Sequence, residues 1–372
     1  MPVLTFDLDF QRRDIDVSDE IARYVPNETP FTVVLLQSRK KKTNTAEFYW
    51  WEEDVYGYWS QVNNATGYLA TDTNIVVDDG TLFKAKDIVK VPRTGEIMFI
   101  TAVNGNTITV IRGYGETAAA ALNDNDYVLN LGNAMEERSD VPEEKVKQPT
   151  KVYNYCGILR TPFGGSGTVL AEQQITNEQE RARLTRSKGI DHRLALERQI
   201  LFGERKEDAA NKRRMSRGLE KFINTNIYDA GGVCTEDEFI TNVCEPLFRY
   251  GSRTKLWIAS ARHISIVTAW AKDKLRISQD AKAYGLELQE YVSPHGRLII
   301  APSKALEQYY AYHSFFVDMK YVRIRPLRDT TLRRNIHNPG VDGFLDEYLT
   351  EAGLELKVEK AHAILKNAIS AA

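Results

Sequence analysis

Hydrophobic and polar positions change period several times along this chain, and each change marks a part. Over residues 1–30 apolar side chains are scattered. The one helical patch there, "DVSDEIARYV", precedes "PNETP", a pattern that predicts an arm needing another surface to lie on. From "TVVLLQSRKKKTNTAEFYWWEEDV" onward, aromatic and β-branched residues alternate with polar ones, the period of half-buried strands. The clearest hairpin is "EIMFITAVNGNTITVIRGYGET", where Asn104-Gly105 predicts a type I′ turn, since Gly takes positive φ freely and Asn tolerates it. With strands in "GTLFKAKDIVKVPRTGE" and "NDNDYVLNLGN", residues from about 65 to 132 read as a small β-barrel or sandwich with its own core. The charged stretch "EERSDVPEEKVKQPTKV", punctuated by Pro142 and Pro149, predicts an exposed connector.

The period then lengthens. "LAEQQITNEQERARLTRSKGIDHRLALERQILFGE" predicts a helix over about 170–203, with Leu194, Glu197, Ile200 and Leu201 on one stripe and a strongly polar first half. Such a helix of about 30 residues spans about 45 Å, more than a small core requires. Gly203 predicts a stop in the left-handed conformation. Downstream, Thr235 and Glu238 have capping-box spacing, "TKLWIAS" is a strand, and Ser260 caps the helix "ARHISIVTAWAKDK". Two strands meet around Pro294–Gly296, further strands follow, and the end of the chain reads as a weakly helical or frayed tail. The order is mixed α+β, without the βαβ regularity of a dinucleotide-binding fold.

Composition narrows the function. At 372 residues the chain is long enough for two or three compact units. Its 49 basic and 51 acidic residues leave a net charge of −2, which excludes a surface that is basic throughout. Cys156, Cys234 and Cys244 have no Cys-x-x-Cys spacing, and the N-terminus carries neither a signal peptide nor a membrane span, so a disulfide framework and a membrane are not expected. The six histidines lack the i, i+4 spacing of a helical metal site. "GGSGT" lacks the Lys and Ser/Thr of a phosphate loop, and "RGYGET" reads as turn glycines. No catalytic constellation emerges. The expectation is a protein that is not an enzyme and takes no cofactor or metal.

Two basic clusters and one aromatic run are the candidate interaction residues. Arg39, Lys40, Lys41 and Lys42 read as a solvated or salt-bridging loop base in preference to a DNA contact. Lys212, Arg213, Arg214 and Arg217 sit in an exposed link between the apolar anchors Ile200, Leu201, Phe202 and Leu219, Phe222, Ile223, where Glu204, Glu207, Asp208 and Glu220 offset their charge. The link is expected to pair with acidic patches on neighbouring molecules, with nucleic acid second. Trp50 and Trp51, in "FYWWEEDVYGYW", are either core of the β-unit or anchors of an interface.

The order of parts resembles the major capsid proteins of tailed bacteriophages, of the HK97 type. The resemblance rests on the helix ending "ALERQILFGE" with "RRMSRGLEKFI" after it, on the hairpin with "NDNDYVLNLGNA", and on "VRIRPLRDTTL" followed by "GFLDEYLTEAGLELKVEKAHAIL". It implies an α+β HK97-like capsid fold: an N-terminal arm (1–35), an extended-loop region with an inserted all-β domain (36–150), a first part of a peripheral domain with the spine helix (151–214), an axial domain (215–320) and last peripheral strands with a tail (321–372). It further implies hexamers and pentamers in an icosahedral virion shell around double-stranded DNA, made in the host cytoplasm. A portal protein and separate scaffolding and decoration proteins are the implied partners. Since the arm starts at Met1, a separate scaffolding protein or none is expected. The rival readings are a tail or decoration protein, and a nucleic-acid-binding protein using residues 205–221.

Overall fold

The computed structural model describes residues 31–32, 35–36, 40–54, 57–139, 148–171, 179–270, 275–276, 282–283, 286–287 and 289–369. The expected arm over 1–30, Arg39, residues 140–147 of the charged connector and residues 172–178 of the expected helix lie outside the described residues. The chain forms two compact units, one of Trp51–Thr150 and one of Met1–Trp50 with Lys151–Ala372.

The smaller unit is a closed barrel. Its strands are β1 (Trp59–Gln61), β2 (Asn74–Val76), β3 (Asp87–Lys90), β4 (Ile97–Asn104), β5 (Thr107–Ile111) and β6 (Tyr127–Asn133), in the order β1-β6-β3-β4-β5-β2. Val62 bridges Val77 just beyond the ends of β1 and β2, with Asn63 N–H donating to the Val76 carbonyl and Asp78 N–H to that of Gln61, each at 2.9 Å. That pairing joins the two edges, so the barrel exposes no long free edge. Alternate residues point inward: Val89, Met98, Ile100, Ile108, Val110 and Val128 are buried together. The β4–β5 turn differs from expectation by one residue. Asn104 pairs with Thr107, leaving Gly105-Asn106 as the central pair, and Gly105 alone of the two has positive φ, at 58°. That is the requirement of a type II′ turn, whose first central position wants Gly.

The larger unit contains β7 (Gly157–Ser166), α1 (Glu180–Phe202), β8 (Ile227–Val233), β9 (Thr254–Ala259), α2 (Ala261–Trp270), β10 (Gln289–Val292), β11 (Arg297–Pro302), β12 (Ser314–Val317), β13 (Val322–Arg333), β14 (Gly343–Leu356) and β15 (Ala363–Ile369). Two sheets result. One has three antiparallel strands with β14 between β13 and β7, and α1 lies against it. The other runs β8-β15-β12-β9-β11-β10 and then Leu275–Arg276. Its strands alternate cleanly: Leu256, Ile258, Phe315, Val317 and Ile364 join the core shared with α1, whereas Trp257, Ala259, Phe316, Ala363 and Leu365 join a second core with Phe239 and Leu247. The expected caps are present. Thr235 and Glu238 exchange both capping-box bonds, and the Ser260 hydroxyl accepts the His263 N–H at 3.0 Å.

Several expectations are corrected. Residues 366–369 of the expected frayed tail belong instead to β15, paired on both sides between β8 and β12, so this part of the 321–372 segment belongs to the same sheet as strands from 215–320, and residues 370–372 lie outside the described residues. "AILKNAI" is a short apolar run, whose length and period do not distinguish strand from helix, and burial on two sides selects the strand. α1 has 23 residues, and Gly167–Ala171 forms a separate short turn of helix. Residues 40–50, expected within the extended-loop region, belong to the larger unit.

Candidate assembly surfaces and the joints that hold them

Lys40–Lys42 do not form a free loop. Lys40 bridges Ile324 of β13 in parallel, and the N–H groups of Lys41 and Thr43 donate to the carbonyls of Ile324 and Pro326, both at 3.0 Å. Lys40 Nζ also pairs with Asp329 at 2.5 Å. The run thus extends the three-stranded sheet beside β13. Together with Arg328, Arg333 and Leu349, Lys40 and Lys42 line an open groove of about 510 Å³.

The aromatic run divides by strand alternation. Trp50 is 5% exposed and lies 6.0 Å from the Phe222 ring and 6.1 Å from Phe48, in the core of the larger unit. The barrel core does not own it, and its ring is not available to a neighbour. Trp51, pointing the other way on the same strand, Glu47–Glu52, is 58% exposed. Of the two tryptophans, Trp51 keeps the surface position an interface anchor needs.

The link between α1 and the following segment is a joint, as expected, but it is folded. Lys206–Asp208 and Arg213–Met215 pair as a small antiparallel hairpin, with Arg214 Nε 2.9 Å from Glu207 and Arg213 opposite Asp208. Lys212, with φ at 53°, turns the tip and is exposed. Arg217 folds back, its guanidinium over the Phe222 ring at 4.8 Å and its Nε donating to the Lys221 carbonyl at 2.8 Å. At the base of the hairpin the backbone crosses itself, with Gly218 N–H donating to the Gly203 carbonyl at 2.7 Å. A Cβ on Gly203 would stand 2.4 Å from the carbonyls of both Gln199 and Ser216. Gly203 therefore ends α1 by close approach. Its φ of −57° is not the left-handed stop that was expected.

Asn154 locks this crossing. Its side-chain amide donates to the carbonyls of Leu354 (2.7 Å) and Arg217 (3.2 Å) and to the Ser216 hydroxyl (3.1 Å), while its oxygen accepts the Arg217 N–H at 2.8 Å. A fully buried amide so well satisfied specifies one arrangement of three distant segments.

The polar half of α1 has a partner that helical periodicity alone did not disclose. Toward α1, β14 presents Asp346, Tyr348 and Thr350. Arg181 pairs with Asp346 at 2.8 Å, the Tyr348 hydroxyl donates to the Thr185 carbonyl at 3.1 Å, and His192 bridges the hydroxyls of Thr161 and Thr350 at 2.9 and 2.7 Å. Burial pushes the His192 pKa down. Burial opposes the Asp346 charge most strongly, but the Arg181 hydrogen bond, the Asn335 N–H and the nearby arginine charges together outweigh it and hold the carboxyl below its usual range. Among the apolar positions Leu196, Ile200 and Leu201 are buried, whereas Leu194 is half-buried.

On the opposite face of β14, Glu347, Glu351 and Glu355 recur at every second outward position and meet Arg160 (2.5 Å), Arg328 (2.6 Å) and Arg325 (2.9 Å) from the flanking strands. Sequence reasoning missed this ladder. Its signal was partial: carboxylates four apart share one face of a strand by period two, but Arg325 and Arg328, three apart, share a face only because β13 is bulged between Pro326 and Arg328.

A second buried constellation joins β9 to the chain end. Lys255, with no exposed side-chain area, donates to the carbonyls of Tyr250 (2.9 Å) and Ala361 (2.7 Å) and lies 3.6 Å from Asp318. Burial lowers its pKa to about 8 against the opposing attraction of Asp318. Asp318 N–H donates to Nδ1 of His362, whose other nitrogen faces the Lys357 carbonyl at 3.1 Å, and burial lowers the His362 pKa to about 4. These groups are mutually satisfied, which is a positioning role. Glu197 is similar: buried on α1, it accepts from the Ser303 hydroxyl at 2.6 Å and the Thr32 N–H at 3.3 Å, and burial raises its pKa.

A long helix against a three-stranded sheet, a second and larger mixed sheet, and a barrel inserted before both make up an HK97-type capsid subunit. Over their full lengths this chain and one from Mycobacterium phage Bobi superpose with a TM-score of 0.52 at 10% identity. With the capsid of the native GTA particle the score is 0.50 at 11% identity, over 97% of both chains. A curated relative, the major capsid protein of Pseudomonas phage PaMx41, is 36% identical over 78 residues, which are 21% of this chain and 19% of the relative. The chain thus matches about a fifth of that relative's length. The profile of the SU10 major capsid protein matches residues 2–368. The chain belongs to the SU10 major capsid protein family, a family of structural proteins of the phage head.

Proposed function

We propose that copies of this chain assemble as hexamers and pentamers into a closed icosahedral shell around double-stranded DNA, and that the chain works as a structural protein without catalysis. The observation that carries this reading is the family match across nearly the whole chain, residues 2–368. The subunit is made in the host cytoplasm and resides in the virion. A portal protein occupies one vertex, and assembly uses a separate scaffolding protein or none. The arm over 1–35 and the barrel-bearing region over 51–150 contact neighbouring subunits and add interface without enlarging the core of the larger unit. Trp51, Lys42, Lys212 and Arg213 are the side chains best placed for those contacts, because each is exposed. Any contact with the genome is sequence-independent and weakens with salt.

Negative-stain imaging of the expressed chain tests this. Closed shells, or rings of five and six, are the expected result. Uniform tubes would point to a tail component. Small particles that retard DNA would replace the shell reading with the nucleic-acid one.

A further inference from the structure

The two walls of the barrel differ in chemistry. On β1 and β6, Trp59 lies opposite Leu129 and Gln61 opposite Tyr127, so all four share the outer face, and Lys90 of β3 flanks Leu129. Trp59 is 42% exposed, Tyr127 56%, Leu131 51% and the adjoining Tyr58 59%. The rings already associate: Trp59 meets Tyr127 edge-on at 6.0 Å and Tyr58 at 6.1 Å. Next around the barrel, the outer face of β2 and β5 carries Asn74 and Thr109, whose side chains hydrogen-bond at 2.9 Å. The aromatic wall is not needed to fold the barrel, whose interior is filled by a separate buried set. Nor can it act by strand addition, because the sheet is closed.

We infer that this wall is a two-fold contact between the barrels of two subunits in the assembled shell, an inference that rests on the shell reading above. A surface that must fit a copy of itself has to be low in single-sign charge and able to interdigitate with its own shape, as an aromatic patch is. Size points the same way. Three half-exposed aromatic side chains and the neighbouring leucines offer about 400 Å² per copy, or roughly 800 Å² for a pair, against about 1,200–2,000 Å² for a stable interface. Free subunits therefore do not pair through it. Subunits already held in a shell do, because tethering raises the effective concentration to the millimolar range, about what so small a patch needs.

The test uses full-length chain carrying one added thiol, Trp59→Cys, Tyr127→Cys or Leu131→Cys, since the three native cysteines are buried. A short bis-maleimide is added to intact shells and to dissociated subunits. At least one of the three should give a covalent dimer of this chain in shells and none in free subunits, and Asn74→Cys should give none in either. In addition, Tyr127→Glu should cost severalfold in shell yield while the barrel amides keep their hydrogen-exchange protection. Absence of dimers from intact shells at all three positions, equal dimer from Asn74→Cys, or linkage to a different protein would each overturn the inference. Failure of the unmodified chain to form shells is a separate result, and it would refute the shell reading itself.

Discussion

The barrel and the larger unit solve the same problem, holding strands together, from opposite directions. The barrel is drawn from one uninterrupted stretch, closes its sheet on itself and keeps its ionic contacts local. Arg112 makes a bidentate pair with buried Glu96 at 2.8 Å and also donates to the carbonyls of Leu69 and Asp72, both at 3.0 Å, tying the loops at one end. The larger unit is assembled from pieces far apart in the chain. Arg181 finds Asp346 165 residues away, and Asn154 finds Leu354 at a separation of 200. A module built from local contacts can be inserted without disturbing its host. The host needs buried polar locks to choose one arrangement of remote segments.

This contrast is open to direct attack. The largest effect is expected from Arg112→Ala, which leaves Glu96 buried without its partner and should cost the barrel about 3–5 kcal/mol. Calorimetry should then show one transition moved and the larger unit's transition in place, and movement of both would refute the barrel's independence. Trp50→Ala should cost a similar or slightly smaller amount, about 3–5 kcal/mol, and should lower the transition of the larger unit, to whose core Trp50 belongs. Trp51→Ala should change subunit stability by less than about 0.5 kcal/mol and act on assembly instead.

Acid separates the units next. All six histidines lie outside Trp51–Thr150. His263 and His362 have pKa values lowered by burial from 6.5 to about 4, so the folded state binds fewer protons than the unfolded chain between those limits. Stability from these groups is complete above pH 6.5 and is lost as pH falls toward 4, on the order of 2–3 kcal/mol for each histidine. Glu96 and Asp126 in the barrel are held below the ordinary carboxylate range. For Glu96 the bonds from Arg112 and two backbone N–H groups overcome burial, and for Asp126 the Arg93 bond dominates. Their contribution is lost only at lower pH, beginning near that ordinary range. Hydrogen exchange at pH 5 should therefore find the larger unit loosened and the barrel protected. A modest effect is that of Thr235→Ala, about 1 kcal/mol from loss of the capping box, read as a small fall in the denaturant midpoint.

Legibility followed the distance over which each feature is decided. The barrel hairpin, the Thr235 and Ser260 caps and the strand "TKLWIAS" were readable, since turn chemistry and period two act within a few residues. The hairpin's turn type was missed by one position, because Asn104-Gly105 and Gly105-Asn106 are both acceptable locally and the register of β4 against β5 chooses between them. Of the candidate contact residues, Trp50 and Trp51 could not be told apart as neighbours in an aromatic run. The pairing of their strand decides which side faces the Phe222 ring. The basic runs were visible as charge, but not that Lys40 would join β13 or that Arg213 and Arg214 would face Asp208 and Glu207 across a hairpin.

By itself, the sequence determined the succession of periods: an aromatic-rich β module, a long helix and a mixed α+β remainder, with no local pattern for catalysis or metal binding. Tertiary structure alone decided that the last strand, Ala363–Ile369, enters the middle of a sheet begun 136 residues earlier, at Ile227. It also decided that Gly203 is required by a crossing chain and that the polar half of α1 faces a strand of matching polarity. The physical reason is common to all three. Periodicity records which face of an element is to be buried, whereas the identity of the covering partner is fixed by packing between segments that only the folded chain brings together.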